Sequence, residues 1–375
     1  MAKAGNHREF TVADVAREAG VSKAQAARAL GAYGAVSDAV RSRVLAAAAR
    51  LNYRPNQPAR TLNTGRSQSV GVVVGDIENP YFSLATRGIS DAVEQSGFNV
   101  VLANTGERVE AERAAVDMLM DKRVDGLIVA PASTSDPAHL RAVVAAGRPL
   151  VLLDRTVSGL TVDAALAEIE PAAREAADHL LALGHRRIGY ITTADGSDVH
   201  AEGPDPLPSP VAARVAGLLG GFTEQGLTWD SDLLRRCPHD EQAIRRAVID
   251  LVRRPDPATA LIASDSLIGQ VVVGALQEEG LRIPGDISVL MYDDQPWARL
   301  VTPPITVVAQ PTYDIGYAAG ARLAALIGGA TNSPPLVPLP ATLIRRGSIG
   351  PVDGTRPTSE ARMSKPMTPV SPPPR

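Results

Sequence analysis

The chain has 375 residues, which is long for one domain and suits two or three. Its single cysteine, Cys237, excludes an intrachain disulfide and a cysteine-rich metal site, and we expect no cofactor. Residues 1–66 carry 11 Lys and Arg against 4 Asp and Glu, whereas the remainder carries 27 against 37. This segregation favours a polyanionic partner for the N-terminal end alone, with a solvated charged surface as the alternative.

No apolar run is long enough to span a membrane, and the first ten residues lack the apolar core of a signal peptide. We therefore expect a cytoplasmic protein, associated with the nucleoid if the polyanion is DNA. Aromatic residues make up only 3% of the chain, so the core must consist mainly of small aliphatic side chains.

Residues 11–30, TVADVAREAGVSKAQAARAL, have the pattern of two short helices joined by a turn. The apolar residues of the first helix recur three and four positions apart, which gives one narrow buried stripe. Gly20 suits the left-handed conformation that ends a helix, and Ser22 suits the N-cap of the next one. The pattern is typical of a helix-turn-helix motif, and an ordinary helical hairpin is the alternative.

A third helix is expected from Asp38 to about Leu51, capped by Ser37. Its predicted apolar face consists of Val40, Val44, Leu45 and Ala48. After Pro55, residues 57–62 suit one or two helical turns, which are too few to be stable alone in water. If this segment is helical, something outside it must support it.

From Ser69 onwards, apolar runs alternate with helical segments, which predicts doubly wound parallel sheets with helices on both faces. The alternation restarts after residue 170, so we expect two similar lobes with a ligand cleft between them. The predicted strands are 69–75, 99–104, 126–130, 149–154, 187–192, 260–264, 287–292 and 341–346. The predicted helices are 81–96, 110–122, 139–146, 171–183, 240–253, 267–279 and 315–327.

The remaining stretches give no catalytic signal. Residues 194–210 suit a long exposed loop, and the Pro-rich tail from about Pro351 suits disorder. The Gly-rich GLLGGF (217–222) does not follow a predicted strand and is interpreted as a helix boundary. There is no P-loop and no HExxH zinc motif, so we predict that the chain is not an enzyme; an α/β fold alone hosts many functions.

In combination, the motifs resemble the LacI/GalR family of bacterial transcriptional regulators over roughly residues 9–350. The motifs that carry the resemblance, in the family's order, are TVADVAREAGVS, VSDAVRSRVLAAAARLNYRPN, ARTLNTGRS, ENPYF, LLALGHRRIGYI and IPGDISVLMYDD. The resemblance implies a small all-α helix-turn-helix headpiece and a two-lobed α/β core like that of periplasmic binding proteins. The expected domains are the headpiece (1–55), a hinge helix and linker (56–68), an effector-binding and dimerisation core (69–350) and a disordered tail (351–375).

The resemblance also implies a set of DNA contacts. Lys23 and Ala24 would open the recognition helix and face base edges in the major groove, with Arg28 one turn further on. For Arg28, a phosphate contact or a solvated face is the alternative. The other residues expected at the DNA are Thr11 and Gln25, and the candidates for phosphate contacts Ser22, Ser37 and Asn56. Gln25, Ala26 and Ala27 replace the Thr-Val-Ser usual in the family, which predicts an unusual operator.

In this family the hinge segment becomes helical on DNA and pairs with its partner across the minor groove. Leu62 matches the leucine that wedges between base pairs and kinks the duplex. Ala59 is small where the two hinge helices would meet. The alternative for Leu62 is packing on the core.

The cleft residues implied by the resemblance are Tyr81, Phe82, Asp154, Ser264, Asp293 and Gln310. Asp293 matches a position that accepts hydroxyl donors in sugar-binding members, and turn capping is the alternative. Polar side chains usual in the family are absent at three places: Glu168-Ile169 replaces an Asp-Asn pair, Ser264 replaces an Asn, and the sugar-gripping Arg aligns with Ala212. We therefore expect an effector other than a standard monosaccharide, or a regulator that needs no effector.

The leading hypothesis is a dimeric repressor that binds a palindromic operator and releases it when a small-molecule effector binds in the cleft. A periplasmic-type solute-binding protein shares the two-lobed core. The basic residues 1–66 and the lack of a signal peptide argue against that class.

Overall fold

The computed structural model describes residues 10–31, 34–53, 66–193, 209–330 and 334–352. They divide into two compact units: one holds the residues up to Ser69 with Met120–Asp125, and the other holds Val70–Leu119 and the residues from Gly126 onwards. The predictions for the hinge (56–65) and the tail (353–375), and most of that for the loop (194–208), concern residues outside this description. No helix among the described residues is long and apolar enough to cross a membrane.

Three helices form the N-terminal core: α1 (Val12–Ala19), α2 (Lys23–Gly31) and α3 (Asp38–Arg50). The core consists of small aliphatic side chains, among which Val15 and Val44 are fully buried. Leu45 was predicted in this core but is 52% exposed, so that prediction is wrong. The buried face of α3 instead continues from Val44 to Ala47 and Ala48, three and four positions further on.

Lobe 1 is a five-stranded sheet with the strand order β2-β1-β3-β4-β5. Its strands are β1 (Ser69–Val74), β2 (Asn99–Asn104), β3 (Leu127–Val129), β4 (Leu150–Leu153) and β5 (Asp163–Ala165), and its helices are α4 (Pro80–Glu94), α5 (Val109–Asp121) and α6 (Ala138–Ala145). The pairings β1–β3, β3–β4 and β4–β5 are parallel. Strands β3 and β4 are buried throughout, as the continuous apolar runs predict.

Lobe 2 repeats this order, with one antiparallel strand added at its edge: β13-β11-β10-β9-β7-β8. Its strands are β7 (Ile188–Thr193), β8 (Leu234–Cys237), β9 (Ala260–Ala263), β10 (Ser288–Tyr292), β11 (Thr306–Ala309) and β13 (Thr342–Ile344). Its helices are α7 (Glu170–Ala182), α8 (Ser209–Glu224), α9 (Glu241–Arg253), α10 (Ser266–Glu278) and the short α11 (Trp297–Leu300).

The chain crosses between the lobes more than once. The short strands β6 (Ala167–Glu168) and β12 (Leu339–Pro340) pair with each other in parallel. Helix α12 (Thr312–Ile327) follows β11 of lobe 2 but packs on α4 and on the sheet of lobe 1. A Cβ atom on Gly88 or Gly316 would overlap the backbone of the opposite helix, so α4 and α12 lie in backbone contact.

Helix α8 was not predicted. Gly217 and Gly221 lie inside it and face Ala173 and Ala177 of α7, where an added Cβ would overlap the alanine side chains. The segment GLLGGF therefore serves the close packing of two helices. Its interpretation as a helix boundary is wrong.

Candidate DNA interface and effector cleft

Helix α1 begins at a reciprocal capping box. The backbone N–H of Thr11 donates to Asp14 Oδ2 at 2.9 Å, and the N–H of Asp14 donates to Thr11 Oγ1 at 3.4 Å. At the other end, Gly20 adopts φ of 63°, and its N–H bonds the last turn of the helix. These local signals fix the turn between α1 and α2 where the sequence predicts it.

Helix α2 begins with a second such box. The N–H of Gln25 donates to Ser22 Oγ at 3.2 Å, and the N–H of Ser22 donates to Gln25 Oε1 at 3.0 Å. Gln25 was predicted at the DNA, and here its amide oxygen is held towards its own helix end. Lys23 and Ala24, between the two capping residues, are exposed. The first turn of α2 is therefore already ordered, with these two side chains accessible.

Arg28 lies along its own helix, one turn beyond Ala24. Its Nε donates to the carbonyl oxygen of Ala24 at 3.2 Å, and its side chain is half-buried. Its Cδ would lie 3.0 Å from a Cβ placed on Gly34, which has φ of 72°. The guanidinium is thus positioned on the same helix as Lys23 and Ala24.

The predicted phosphate-contact hydroxyls lie at helix N-termini. Ser37 caps α3 by accepting from the N–H of Val40 at 3.4 Å, as Ser22 caps α2. Exposed helix N-termini favour anions, because their N–H groups and the helix dipole both present positive charge. Asn56, Ala59 and Leu62 lie outside the described residues, so their roles stay predictions.

In the core, Asp154 and Asp293 occupy equivalent places in the two lobes. Asp154 follows β4 and Asp293 follows β10, with left-handed φ values of 66° and 71°. The N–H of Asp154 donates to Ala165 of the neighbouring strand, and that of Asp293 to Val308. Ligands of open α/β sheets bind beyond the carboxyl ends of the strands, where both carboxylates lie.

Asp293 is buried and bonded to Gln310, whose Nε2 donates to Asp293 Oδ1 at 2.7 Å. Burial raises the pKa of Asp293 to about 6, against the opposing effects of Arg214 and Gln310. The Oε1 of Gln310 has no hydrogen-bond partner among the described residues. The pair therefore presents an acceptor that the described part of the chain does not use.

A buried arginine that the sequence analysis missed completes this side of the cleft. Arg214 on α8 has its guanidinium carbon 4.6 Å from the ring centroid of Tyr292, and its Nη1 donates to the carbonyl oxygen of Ser264. Burial alone would lower the pKa of Arg214, but tyrosine hydroxyls and the carboxylates of Asp293 and Asp154 raise it, so the group stays charged. Within the described chain its Nε finds no partner.

Arg214 corrects one premise of the sequence analysis. The family's cleft arginine was aligned with Ala212, and its absence counted against a sugar effector. The structure places a guanidinium beside Asp293 all the same, two positions later in the chain. The available signal was a single charged residue inside the otherwise apolar segment VAARVAGLLGGF.

Tyr81 and Phe82 share the first turn of α4, with ring centroids 5.3 Å apart and planes at 87°. Both are buried. Burial first, and then the charge of Asp154, raise the pKa of Tyr81. Both side chains belong to the lobe 1 core cluster, and the hydroxyl of Tyr81 has no hydrogen-bond partner among the described residues.

The hydroxyl of Ser264 is used inside the protein. It donates to Thr192 Oγ1 at 3.1 Å, while the Ser264 carbonyl accepts from Arg214. Ser264 was predicted to bind the effector, and in the structure it orients Arg214. Of the two residues that replace the usual Asp-Asn pair, Ile169 is buried in the lobe 2 core and Glu168 is exposed.

An ion pair on the lobe 1 side was also missed. Arg155 Nη1 lies 2.6 Å from Glu107 Oε2 and 2.9 Å from the carbonyl oxygen of Pro131. The Glu107 carboxylate lies where a side chain on Gly75 would be. Both charged side chains are largely buried, so this region of lobe 1 is filled by an ion pair.

Comparisons with known proteins identify the two parts of the chain. Residues 11–56 match the family model described as bacterial regulatory proteins, lacI family, and residues 177–349 match a periplasmic binding protein-like domain. The chain is 30% identical to the HTH-type transcriptional regulator KdgR of Bacillus subtilis, over 90% of this chain and 97% of KdgR. It is 34% identical to the HTH-type transcriptional regulator PtxS of Pseudomonas aeruginosa, over 91% and 96%.

Among solved structures, the chain is similar to the lac repressor dimer bound to operator and the anti-inducer ONPF. The TM-score is 0.77 at 27% identity, covering 92% of this chain and all of that chain. A helix-turn-helix headpiece with a two-lobed core of sheets flanked by helices defines a DNA-binding transcriptional regulator, not an enzyme. The chain belongs to the lacI family of bacterial regulatory proteins, which confirms the predicted family and fold class.

The pKa values of the adjacent carboxylates Asp293 and Asp294 are shifted in opposite directions, so their effects on stability should depend on pH in opposite ways. Although burial opposes it, hydrogen bonds from Arg299 and Arg346 hold the pKa of Asp294 below its usual value, whereas that of Asp293 is raised to about 6. A raised carboxyl pKa stabilises the fold below the unfolded pKa, and this contribution is lost as pH rises through the folded value. A lowered one stabilises the fold above the unfolded pKa and is lost in acid.

We therefore expect Asp293→Asn to become more stable relative to wild type between about pH 4 and about pH 7, by about 2–3 kcal/mol. Asp294→Asn, its matched control, should lose stability relative to wild type mainly as pH rises through the acid range up to about pH 4, and its deficit should then stay nearly constant up to about pH 7. Urea unfolding of both variants at several pH values measures the difference. Parallel pH profiles for the two variants would contradict the assignment.

Proposed function

We propose that this regulator is a dimeric repressor that holds a palindromic operator through two headpieces and is controlled by a small polar effector in the cleft. The observation that carries the proposal is the ordered first turn of α2, with Lys23 and Ala24 exposed between Ser22 and Gln25. Residues at the N-terminal end of a recognition helix are the ones that reach base edges. Its place would then be on the nucleoid, in the cytoplasm.

The headpiece supports both kinds of DNA contact. Arg28 lies one turn beyond Ala24 and can bond guanine O6 and N7 with two donors. The methyl group of Ala24 suits contact with the methyl group of thymine. The capping hydroxyls of Thr11, Ser22 and Ser37 lie at helix ends that favour phosphates. We retain Asn56 as a phosphate contact, Leu62 as the minor-groove wedge and Ala59 as the small residue between paired hinge helices.

A dimer is supported by exposed apolar side chains around the free edge of the lobe 1 sheet. Leu102 lies on the edge strand β2 and is 44% exposed, while Leu84 on α4 and Met118 on α5 are 43% and 37% exposed. An unprotected sheet edge can pair with another chain, and a patch of exposed apolar groups around it is typical of an interaction surface. The similar lac repressor is described as a dimer bound to operator.

The cleft supports a polar ligand. Asp154, Asp293, Arg214 and Gln310 converge from strand ends and from α8. Arg214 and Gln310 each keep one polar atom that no described residue bonds. Arg214 removes one argument against a monosaccharide. Two arguments against a monosaccharide remain. Glu168-Ile169 replaces the Asp-Asn pair, and Ser264 is used inside the protein.

The reading role of Arg28 is tested on DNA sites selected from random duplexes with the wild-type protein. Arg28→Ala should lower the affinity for the selected site by about 1–3 kcal/mol and leave the affinity for a scrambled duplex little changed. The control Arg43→Ala removes an exposed charge from α3 of the same headpiece. Gel retardation over a series of salt concentrations measures both.

Wild-type protein that shows no preference for any duplex would rule out the repressor function. A contrary outcome is that Arg28→Ala lowers the affinity for the selected and the scrambled duplex by the same factor, as Arg43→Ala does. In that case Arg28 contacts phosphate and does not read bases.

The dimer surface is tested with Leu102→Glu, which puts a charge on the edge strand. We expect sedimentation to show a monomer and the affinity for a full palindrome to fall by about tenfold or more. Val144→Glu on α6, where the valine is 43% exposed, is the matched control and should remain a dimer. Dimerisation of both variants would refute this interface.

The cleft is tested by a thermal-shift screen of polar metabolites that includes common monosaccharides, for which we expect no shift. A true effector should raise the Tm of the wild type and of the control Gln270→Ala, whose glutamine is exposed on α10. The same effector should not raise the Tm of Gln310→Ala, because the Gln310 amide lies in the cleft. An equal shift in both variants would place the ligand elsewhere.

A further inference from the structure

Asp125 is a buried carboxylate that neither the proposed DNA contacts nor the cleft use. It stands directly before Gly126 and β3, and is 5% exposed. Its Oδ1 accepts from the backbone N–H of Ser67 at 3.0 Å, and its Oδ2 accepts from that of Gln68 at 2.7 Å. We call these three residues the Asp125 clamp.

The clamp fixes the backbone direction at the start of β1. Charge-assisted hydrogen bonds to two successive N–H groups offset the cost of burying a carboxylate. Gln68 adopts φ of 54°, a left-handed conformation that is uncommon for residues other than glycine. The N–H of Asp125 also donates to the carbonyl oxygen of Ser69 at 2.8 Å, so residues 67–69 are held at three successive points.

The position of the clamp in the chain gives it a functional meaning. Residues 67 and 68 are the last ones before β1, and the segment that precedes them carries Asn56, Ala59 and Leu62. On the other side, Gly126 accepts from the N–H of Gly71, and β3 pairs with β1 from Gly71 onwards. Residues 67 and 68 are therefore bonded to the residue that leads into β3, next to the point where β3 joins β1.

We propose that Asp125 is a positioning residue for operator binding: it fixes the path by which the chain leaves lobe 1 for the hinge. The inference rests on the proposed repressor function. Without the clamp, specific binding has to order the backbone of Ser67 and Gln68 itself. Ordering one residue costs about tenfold in affinity, so the loss should be about tenfold to a hundredfold.

The test uses the full chain and the variant Asp125→Asn, in which an NH2 group replaces one of the two oxygens that accept from these N–H groups. Asp121→Asn is the matched control, because Asp121 is exposed at the end of α5 and its change removes the same charge four positions away. Three quantities are measured: affinity for the selected operator, affinity for a scrambled duplex, and amide hydrogen exchange of residues 66–70.

Asp125→Asn should exchange faster at residues 67 and 68 and bind the operator about tenfold more weakly or worse, with unchanged affinity for the scrambled duplex. Asp121→Asn should match the wild type within about twofold for exchange and operator affinity. Faster exchange with wild-type operator affinity would overturn the proposal. An equal loss of affinity for the operator and for the scrambled duplex would overturn it too, because the change of charge alone would then explain that loss.

A second variant covers the case in which Asp125→Asn fails to fold. Gln68→Pro removes one N–H of the clamp and cannot adopt the left-handed φ, while Asp125 stays in place. We expect the same selective loss of operator affinity, and wild-type affinity in this variant would refute the clamp. Wild-type protein without any preference for the selected site would contradict the repressor function itself, and the inference with it.

Discussion

The guanidinium of Arg214 is a positive charge buried among carboxylates that come from both lobes. An unpaired charge at such a place is strongly unfavourable, and burial pushes the group towards deprotonation. The carboxylates of Asp154 and Asp293 oppose this effect, one from each sheet. The electrostatic balance of the cleft therefore depends on both strand ends at once. A molecule that binds between them changes the interaction of the lobes as well as its own solvation.

The two sheets make this arrangement possible because they repeat one topology. Parallel strands in the same order end at the same edge, and the residue after β4 corresponds to the residue after β10. Both positions carry an aspartate in the left-handed conformation. The headpiece follows a different rule: its helices are fixed by capping residues that are neighbours in the chain, such as Thr11 with Asp14. The headpiece is thus fixed by contacts between residues that are close in sequence, whereas the cleft depends on contacts between distant parts of the chain.

Much of the fold could be predicted from the sequence because the relevant signals are local. Buried parallel strands such as β4 read as continuous apolar runs, and the capping boxes of α1 and α2 lie within four residues. Strand β8, Leu234–Cys237, was missed because two of its four residues are arginines. Arg235 is buried, with its charge paired with Asp250 of α9 and its Nη1 bonded to the carbonyl oxygens of Asp232 and Leu234. Arg214 was missed because its place in the cleft depends on the packing of α8 against α7. Asp125 gave no signal, since a carboxylate that caps a distant turn has no distinctive neighbours in sequence.

The contact between α4 and α12 has a consequence for how the protein is made. The hydroxyl of Tyr313 donates to Asp91, and these residues are 222 positions apart. On the ribosome, the headpiece emerges complete and can fold at once, because its three helices are contiguous. Lobe 1 must wait for α12 until nearly the whole chain has been synthesised, and the apolar surface that α12 covers stays open during that time. The nascent protein therefore passes through a stage in which a finished DNA-binding end is attached to an unfinished core that is prone to aggregation.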